Sequence, residues 1–517
     1  MNLRPAVPDR RELTAAATTA VLLFVAYPPF NLVVPSFVVL VPFLLELDAR
    51  TQRRGDARGH GPAALGFWTG LLASGLVLYW MIVALWHFTP LSAAGYLASI
   101  LVLAAWWTLL GWTTAWVRRR TALPWWAAFP LLWTAMEWLI GHQGDVRFPW
   151  LGLGTSLTSV PLLVQWADLA GARGVTLWLA WVNVLVFLAV RRRSWRPLVP
   201  AAATLALAAG YGAWRQRTLA VHPVTVVGVI QPNVGFTEKR SLRDQDTLVQ
   251  DLLRLTAKAD SLKGVRLVAW PEAAADGWFV DHPAWVEWIG DAARRTGIPI
   301  LAGALDAQFH PNGTYDGYNA AFFFDSTGSD ARWPSYRKTY LVPIVERVPF
   351  VNPRWFGKLK WFGGFGHGDR FPVFRMREGG FGVLICYESA FEDLARRYRS
   401  EGADFLVNIT NDAWFGTTAA PYQHAAHLVM RAIETRMGVA RAANTGISEF
   451  VDPLGRTWRR TPLDVGRVEA DTVWTTSGRT VYVTLGDWVG LLSLVGTGAL
   501  VAAGLLRRRG RGDALTM

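Results

Sequence analysis

The chain has 517 residues, 52% of them hydrophobic and only 18% charged, with 52 lysines and arginines against 39 acidic residues for a net charge of +13. So apolar a composition excludes an ordinary soluble globule, and a single cysteine excludes a disulfide scaffold. The positive excess sits in short clusters beside apolar blocks, which excludes a nucleic-acid surface.

From the N-terminus, apolar blocks long enough to cross a bilayer fall near residues 13–29, 32–47, 63–87, 91–117, 123–141, 174–190 and 197–214, with an eighth near 485–506. The predicted fold class is a multi-span α-helical membrane bundle of eight helices plus a separate α/β domain. The first two blocks are short and proline-flanked. The first leads straight into further spans and has no convincing small-residue cleavage site, so it does not read as a cleaved signal peptide. Three segments follow: helices 1–7 over residues 1–214, a domain of soluble composition over 215–484, and the last helix with a short tail over 485–517.

The 215–484 domain holds 32 basic and 29 acidic residues, and the 20 basic residues outside it are all arginines. Arg4, Arg10 and Arg11 precede the first block, while Arg50, Arg53, Arg54 and Arg58 follow the second. Arg118 to Arg120 follow the fourth, Arg191 to Arg193 and Arg196 separate the sixth and seventh, and Arg507 to Arg509 and Arg511 follow the eighth. With a cytoplasmic N-terminus, 18 of the 20 lie inside and only Arg147 and Arg173 lie outside. That predicts a multi-pass protein of the cytoplasmic (inner) membrane with both termini cytoplasmic and the 215–484 domain extracytoplasmic.

Tryptophan is abundant at 28 residues, and Trp80, Trp86, Trp125, Trp126 and Trp150 stand near block ends as expected interfacial anchors. The stretch 141–174, with Phe148-Pro149-Trp150-Leu151, reads as a loop that dips into the outer interface or as a plain surface loop. Glu137 lies inside the fifth block, about one helical turn from its outer end. An ionisable group at that depth is a functional candidate, and a hydrogen-bonded structural role fits equally well.

Within 215–484, short apolar or β-branched runs predict strands at 224–230, 266–270, 298–302, 320–324, 381–386 and 404–409. Amphipathic stretches at 242–259, 283–295, 391–399 and 422–436 predict helices, and the alternation predicts an α/β layered domain. Polar residues collect at strand ends: Trp270-Pro271-Glu272, Cys386-Tyr387-Glu388 and Asn408-Ile409-Thr410-Asn411-Asp412. Ligands gather beyond the carboxyl ends of strands in such sheets, so three ends in one sheet would converge on one pocket.

Cys386, the lone cysteine, closes the run Phe381-Gly382-Val383-Leu384-Ile385. It reads either as a nucleophile or as a small buried hydrophobe. Ser389-Ala390-Phe391-Glu392 has a capping-box pattern and predicts a helix whose N-terminal dipole would favour the thiolate. Acyl transfer through a thiol needs a base, oxyanion donors and access for a second nucleophile. Glu272 is a candidate base, Cys386 the nucleophile, and Lys338 in Tyr336-Arg337-Lys338-Thr339-Tyr340 an oxyanion-holding or positioning cation.

The order Trp270-Pro271-Glu272, Tyr336-Arg337-Lys338, Cys386-Tyr387-Glu388 resembles the Glu-Lys-Cys triad of the nitrilase superfamily. Within it, the chain resembles the apolipoprotein N-acyltransferase family over essentially its whole length. The resemblance is carried by the spans around the domain, by Thr410-Asn411-Asp412-Ala413-Trp414-Phe415-Gly416 with Gln423-His424, and by Arg441-Ala442-Ala443-Asn444-Thr445-Gly446.

What it implies is an αββα four-layer sandwich joined to a membrane bundle, and a two-step acyl transfer with no cofactor and no metal. Glu272 deprotonates Cys386, and the thiolate attacks the sn-1 ester of a phospholipid, commonly phosphatidylethanolamine. Lys338 and the Tyr387 backbone N–H hold the oxyanion. The α-amino group of the S-diacylglyceryl cysteine of a diacylated apolipoprotein then takes the acyl chain. Glu346 and Glu388 are implied as supporting carboxylates, a role that an ordinary charge-balance network around Lys338 matches equally. Trp414 and Asn411 are implied at the substrate groove. The family usually reads Leu-Val-Pro-Phe-Gly-Glu after the lysine, whereas Leu341-Val342-Pro343-Ile344-Val345-Glu346 stands here, which removes a glycine's backbone freedom from that turn.

His424 and His427 have the spacing of two ligands on one helical turn, and without a third they do not make a zinc site. A membrane-tethered amidase or nitrilase would use the same triad and deliver its thioester to water. A non-catalytic lipid binder and a transporter are the remaining alternatives, the first opposed by the intact triad and the second by the scarcity of polar residues in the blocks.

Overall fold

The computed structural model describes residues 7–52, 61–86, 92–235, 245–275, 277–311, 315–327, 333–350 and 364–512. The chain divides into two compact units, one within Met1–Gln143, Arg147–Arg217 and Asp487–Met517, the other within Gly144–Val146 and Thr218–Gly486.

The first unit is helical. Among the described residues, three helices are long and apolar enough to cross a membrane, Ala93–Thr121, Ala167–Arg192 and Trp488–Arg507, while Pro62–Val77 is apolar but shorter. Three of the eight expected blocks, 91–117, 174–190 and 485–506, meet that measure. Block 32–47 is split into Val33–Ser36 and Val41–Gln52, because Pro35 and Pro42 interrupt the hydrogen-bond ladder. Block 63–87 is split into Pro62–Val77 and Trp80–Trp86. Arg4, Arg53, Arg54 and Arg58 of the charge argument lie outside the described residues. Small residues permit close helix approach, since a Cβ on Gly66 would stand 2.2 Å from the Trp107 carbonyl oxygen.

Three of the five expected interfacial tryptophans are instead buried. Trp80 packs on Trp150 with ring centroids 5.3 Å apart, and Trp125 donates its indole N–H to Asp48 Oδ1 at 3.1 Å. Large flat rings fill helix interfaces as readily as they anchor at a surface. Trp86 and Trp126 are exposed. The 141–174 stretch is not an open loop, for it contains the 3-10 turns Pro149–Leu151 and Leu153–Leu157 and the short helix Pro161–Val164. Leu153 through Leu157 are buried.

Glu137 is buried at the centre of a polar knot in this unit. Its Oε1 accepts from Trp133 Nε1 at 2.8 Å and the Leu153 N–H at 2.9 Å. Its Oε2 accepts from Arg173 Nη1 and Thr176 Oγ1, both at 2.9 Å. Every oxygen is thus engaged within the unit, which is the structural role, tying the helix Trp125–His142 to the helix Ala167–Arg192.

Among its described residues the second unit contains twelve strands: β1 (Val221–Gln231), β2 (Val265–Ala269), β3 (Ile300–Phe309), β4 (Tyr315–Phe324), β5 (Ser335–Arg337), β6 (Phe374–Arg375), β7 (Gly380–Ile385), β8 (Phe405–Thr410), β9 (Gly438–Ala443), β10 (Glu449–Val451), β11 (Thr457–Trp458) and β12 (Arg467–Thr476). They form two six-stranded sheets in the orders β12-β1-β2-β3-β4-β5 and β11-β10-β9-β8-β7-β6. The centre of each sheet is parallel: β1, β2 and β3 in the first, and β7, β8 and β9 in the second.

Parallel strands are buried on both faces and read as unbroken apolar runs, as 381–385 and 405–409 do. The sheets stack face to face, and Phe323 of β4 meets Phe374 and Phe381 of the other sheet with centroids 5.4 and 5.6 Å apart. Helices Gln245–Asp260 and Pro283–Thr296 cover the first sheet, and Glu392–Ser400 and Ala420–Thr435 cover the second. This is a four-layer αββα arrangement.

The expectation of one shared sheet is corrected here. Glu272 follows β2 in the first sheet, whereas Cys386 and Asn411 follow β7 and β8 in the second. The predicted helices are found within a few residues of their expected ends, with 242–244 outside the described residues.

Candidate active site

Glu272 is set by the way β2 ends. The Trp270 N–H still pairs with the Leu301 carbonyl at 2.8 Å, after which Pro271 turns the chain and the Ala274 N–H returns to the Gly303 carbonyl at 2.9 Å. Gly303 makes the close approach possible, since a Cβ there would stand 2.3 Å from the Pro271 oxygen and 2.8 Å from Glu272 Cα. The carboxylate that results is 5% exposed. Its Oε1 accepts from Asn319 Nδ2 at 2.7 Å and Lys338 Nζ at 3.2 Å, and its Oε2 from the Asn411 backbone N–H at 2.9 Å.

Lys338 directly follows β5, where its backbone N–H extends the pairing with β4 through the Asn319 carbonyl at 2.8 Å. Its ammonium is 1% exposed and donates to Glu272 Oε1 and, at 2.9 Å, to Glu346 Oε1. Burial alone would depress its pKa, but the two carboxylates outweigh burial and hold the lysine charged, well above its ordinary range. Glu346 completes the arrangement by accepting from Asn319 Nδ2 at 3.0 Å and the Val342 N–H at 2.8 Å. The turn carrying Glu346 places Ile344 at φ 72°, a left-handed conformation that is costly for a β-branched residue.

Cys386 follows β7 with φ 51°, also left-handed and worth roughly 1–2 kcal/mol of strain for an L-residue. The expected capping box at Ser389 is absent. A 3-10 turn, Cys386–Ala390, comes first, and its Glu388 accepts from the Ile385 N–H at 2.8 Å. The α-helix Glu392–Ser400 follows with no side-chain cap. Burial pushes the Cys386 thiol well up, Glu272 adds to the rise, and Lys338 only partly offsets it. One short turn supplies too little dipole to win against burial, so the resting sulfur holds its proton and needs a base.

Tyr387 is buried beside Phe391. Glu388 does not hydrogen-bond Lys338 among the described residues. Its Oε1 accepts from Tyr336 Oη at 2.6 Å and from the Thr339 and Tyr340 N–H groups at 2.7 and 3.1 Å, so it braces the backbone just after the lysine. Burial pushes Glu388 up to about 7 in spite of these donors.

A carboxyl group that titrates near 4.5 when unfolded and near 7 when folded keeps its proton in the fold after the unfolded chain has lost it. The stability it contributes is full below pH 4.5 and is lost as pH rises through 7. Relative to Glu388→Gln, the wild-type protein should lose on the order of 3 kcal/mol between those limits. Thermal unfolding of both proteins at pH 5 and pH 8 checks this, and a constant gap between them would count against it.

Asn411 Oδ1 accepts from Asn444 Nδ2 at 2.9 Å, which fixes the turn whose N–H holds Glu272. Trp414 is half-buried on the 3-10 turn Asp412–Trp414. His424 and His427 lie on the helix Ala420–Thr435, both buried. His424 Nδ1 is 3.0 Å from Asp412 Oδ1, and its Nε2 is 2.9 Å from the Cys386 carbonyl oxygen. Burial would raise Asp412, yet Arg441 and His424 hold its carboxyl down to about 2.

Two residues here were missed by the sequence reading. Asn319 bridges both carboxylates from inside β4, and its only signal is a lone amide within an apolar strand. Arg441 is a fully buried charge on β9, bound to Asp412 Oδ2 at 2.8 Å.

Two facing sheets thus carry a charged lysine, two carboxylates and a strained thiol on the segments that follow their strands. Residues 226–469 match the carbon-nitrogen hydrolase family, and residues 19–185 match the apolipoprotein N-acyltransferase N-terminal domain. The apolipoprotein N-acyltransferase of Geobacter metallireducens is 31% identical over 98% of this chain and 97% of its own length. That of Gloeobacter violaceus is 32% identical over 97% of this chain and 95% of its own. A solved amidase from Nesterenkonia sp. AN1 overlaps 51% of this chain at 17% identity with a TM-score of 0.37, a likeness too slight to add to these. The chain belongs to the apolipoprotein N-acyltransferase family.

Proposed function

We propose that this membrane protein is an acyltransferase of lipoprotein maturation. It moves an acyl chain from a phospholipid, through a thioester on Cys386, to the α-amino group of the N-terminal S-diacylglyceryl cysteine of an apolipoprotein. The observation that carries the reading is the ion cluster of Glu272, Lys338 and Glu346, which couples electrostatically to a strained thiol.

In the first half-reaction Glu272 takes the Sγ proton, and the sulfur bonds to the sn-1 ester carbonyl carbon. Lys338 and the Tyr387 N–H receive the oxyanion. Collapse breaks the C–O bond, and the departing alkoxide regains the proton from Glu272 as the lysophospholipid leaves. In the second, the α-amine bonds to the thioester carbon and gives a proton to Glu272, and the C–S bond breaks with return of that proton to sulfur. The two halves make a ping-pong cycle with no metal or cofactor. Glu346 keeps Lys338 in place, Glu388 holds the backbone behind it, and Asn411 and Trp414 border the substrate.

Phosphatidylethanolamine is the proposed donor. The proposed organisation is the sequence-based one, with membrane segments in 1–214 and 485–517, the catalytic domain over 215–484 on the extracytoplasmic side, and both termini in the cytoplasm. Its support is the arginine distribution.

The test is to incubate the purified protein with phosphatidylethanolamine and a diacylated lipopeptide. The lipopeptide should gain the mass of one acyl chain while lysophospholipid appears. An amidase would release fatty acid or ammonia and leave the peptide mass unchanged, which would overturn the reading.

A further inference from the structure

His424 sits against the nucleophile's backbone, and the proposed chemistry does not use it. It is fully buried on the helix Ala420–Thr435, and its Nε2 lies 2.9 Å from the Cys386 carbonyl oxygen. A carbonyl only accepts, so Nε2 is the protonated nitrogen and donates. The opposite ring nitrogen lies 3.0 Å from Asp412 Oδ1 and 3.2 Å from Arg441 Nη2, and Asp412 is gripped in turn by Arg441 Nη2 at 2.8 Å and Thr410 Oγ1 at 3.0 Å. Arg441 is itself fixed by the Ile447 carbonyl at 2.9 Å and by Asn408. The ring therefore has no freedom to turn away from Cys386.

The carbonyl it holds belongs to the Cys386–Tyr387 peptide, whose other pole is the Tyr387 N–H. In a trans peptide the C=O and N–H vectors point in opposite directions, so anchoring one aims the other. A donor on the carbonyl also polarises the peptide and makes its N–H a stronger donor. We infer that His424 is a positioning residue for the oxyanion hole: held by Asp412 and Arg441, it orients and polarises the Cys386–Tyr387 peptide so that the Tyr387 N–H meets the oxyanion. This rests on the reading of Cys386 as the acyl carrier.

The test compares two reactions of the same sulfur. Acylation by phosphatidylethanolamine passes through an oxyanion, whereas alkylation by iodoacetamide displaces iodide and forms none. In the full-length protein, His424→Leu should slow Cys386 acylation, read by intact mass, roughly 10- to 100-fold through kcat with little change in KM. Its alkylation rate should stay within about threefold of wild type, since no oxyanion is involved. His424→Gln keeps a neutral donor near the carbonyl and should lose only a few fold in acylation, again with alkylation preserved. If the leucine variant does not fold, the glutamine variant decides by the same ratio. Equal loss in both reactions would place the histidine behind the sulfur instead, and unchanged acylation would remove its role, so either result overturns the inference. A wild-type protein that never gains an acyl mass on Cys386 would instead sink the acyl-carrier reading, and this one with it.

Discussion

Cells whose only copy of this protein carries Cys386→Ala should accumulate lipoproteins at the diacylated stage. The purified variant should gain no acyl mass from phosphatidylethanolamine, and transfer should fall by roughly 10^4-fold or more, because removing a covalent nucleophile leaves only binding and oxyanion stabilisation. The substitution is mild structurally. Alanine keeps the left-handed position with no larger strain than cysteine, and the sulfur it removes is only one heavy atom in a site already buried. A thermal midpoint close to wild type together with lost transfer would therefore assign the loss to chemistry. Intact-mass spectrometry of N-terminal lipopeptides reads the outcome, and triacylation at the normal pace would end the covalent mechanism.

How much of this was legible in the sequence differs from element to element. The buried parallel strands β1, β2, β7 and β8 were legible because burial on both faces demands unbroken apolar runs. β9, Gly-Val-Ala-Arg-Ala-Ala, was not, since its small residues carry no strand preference and its burial comes from lying between β8 and β10. β12 was missed for the opposite reason, as its polar, half-buried edge looks like loop. Alternation along a strand says nothing about which of two stacked sheets it joins, which is why one shared sheet was expected.

At the site, Glu272, Lys338 and Cys386 were legible as a resemblance in their order along the chain. What joins them was not. Asn319 matters only because β4 pairs with β5 and so brings one amide against two carboxylates. His424 reads from sequence only as part of the Gln423-His424 motif and as a spacing with His427 that makes no zinc site, and only folding turns its Nε2 to the Cys386 carbonyl. The dipole of a following helix can be read from sequence, whereas the burial that opposes it at the Cys386 thiol cannot.

That buried, protonated thiol makes Glu272→Gln the sharpest test of the base. Glutamine matches the shape of the carboxylate, but it accepts no proton and turns an N–H toward either Lys338 and Asn319 or the Asn411 N–H, all of which are donors. Acylation should fall about 10^2- to 10^4-fold, the range for loss of a general base. Alkylation by iodoacetamide should fall as well, because it too needs the thiolate, and this separates the base from a group that serves only the oxyanion. Two effects oppose each other on the sulfur: removing the Glu272 charge lifts one contribution to the raised thiol pKa, while burial, the larger one, remains. Burial therefore keeps the variant's thiol protonated at neutral pH, and its alkylation should climb close to tenfold per pH unit on the alkaline side, as hydroxide replaces the missing base. Pseudo-first-order alkylation measured from pH 7 to pH 10 reads this slope, and a Glu272→Gln protein that alkylates at the wild-type rate at pH 7 would remove Glu272 from the role of base.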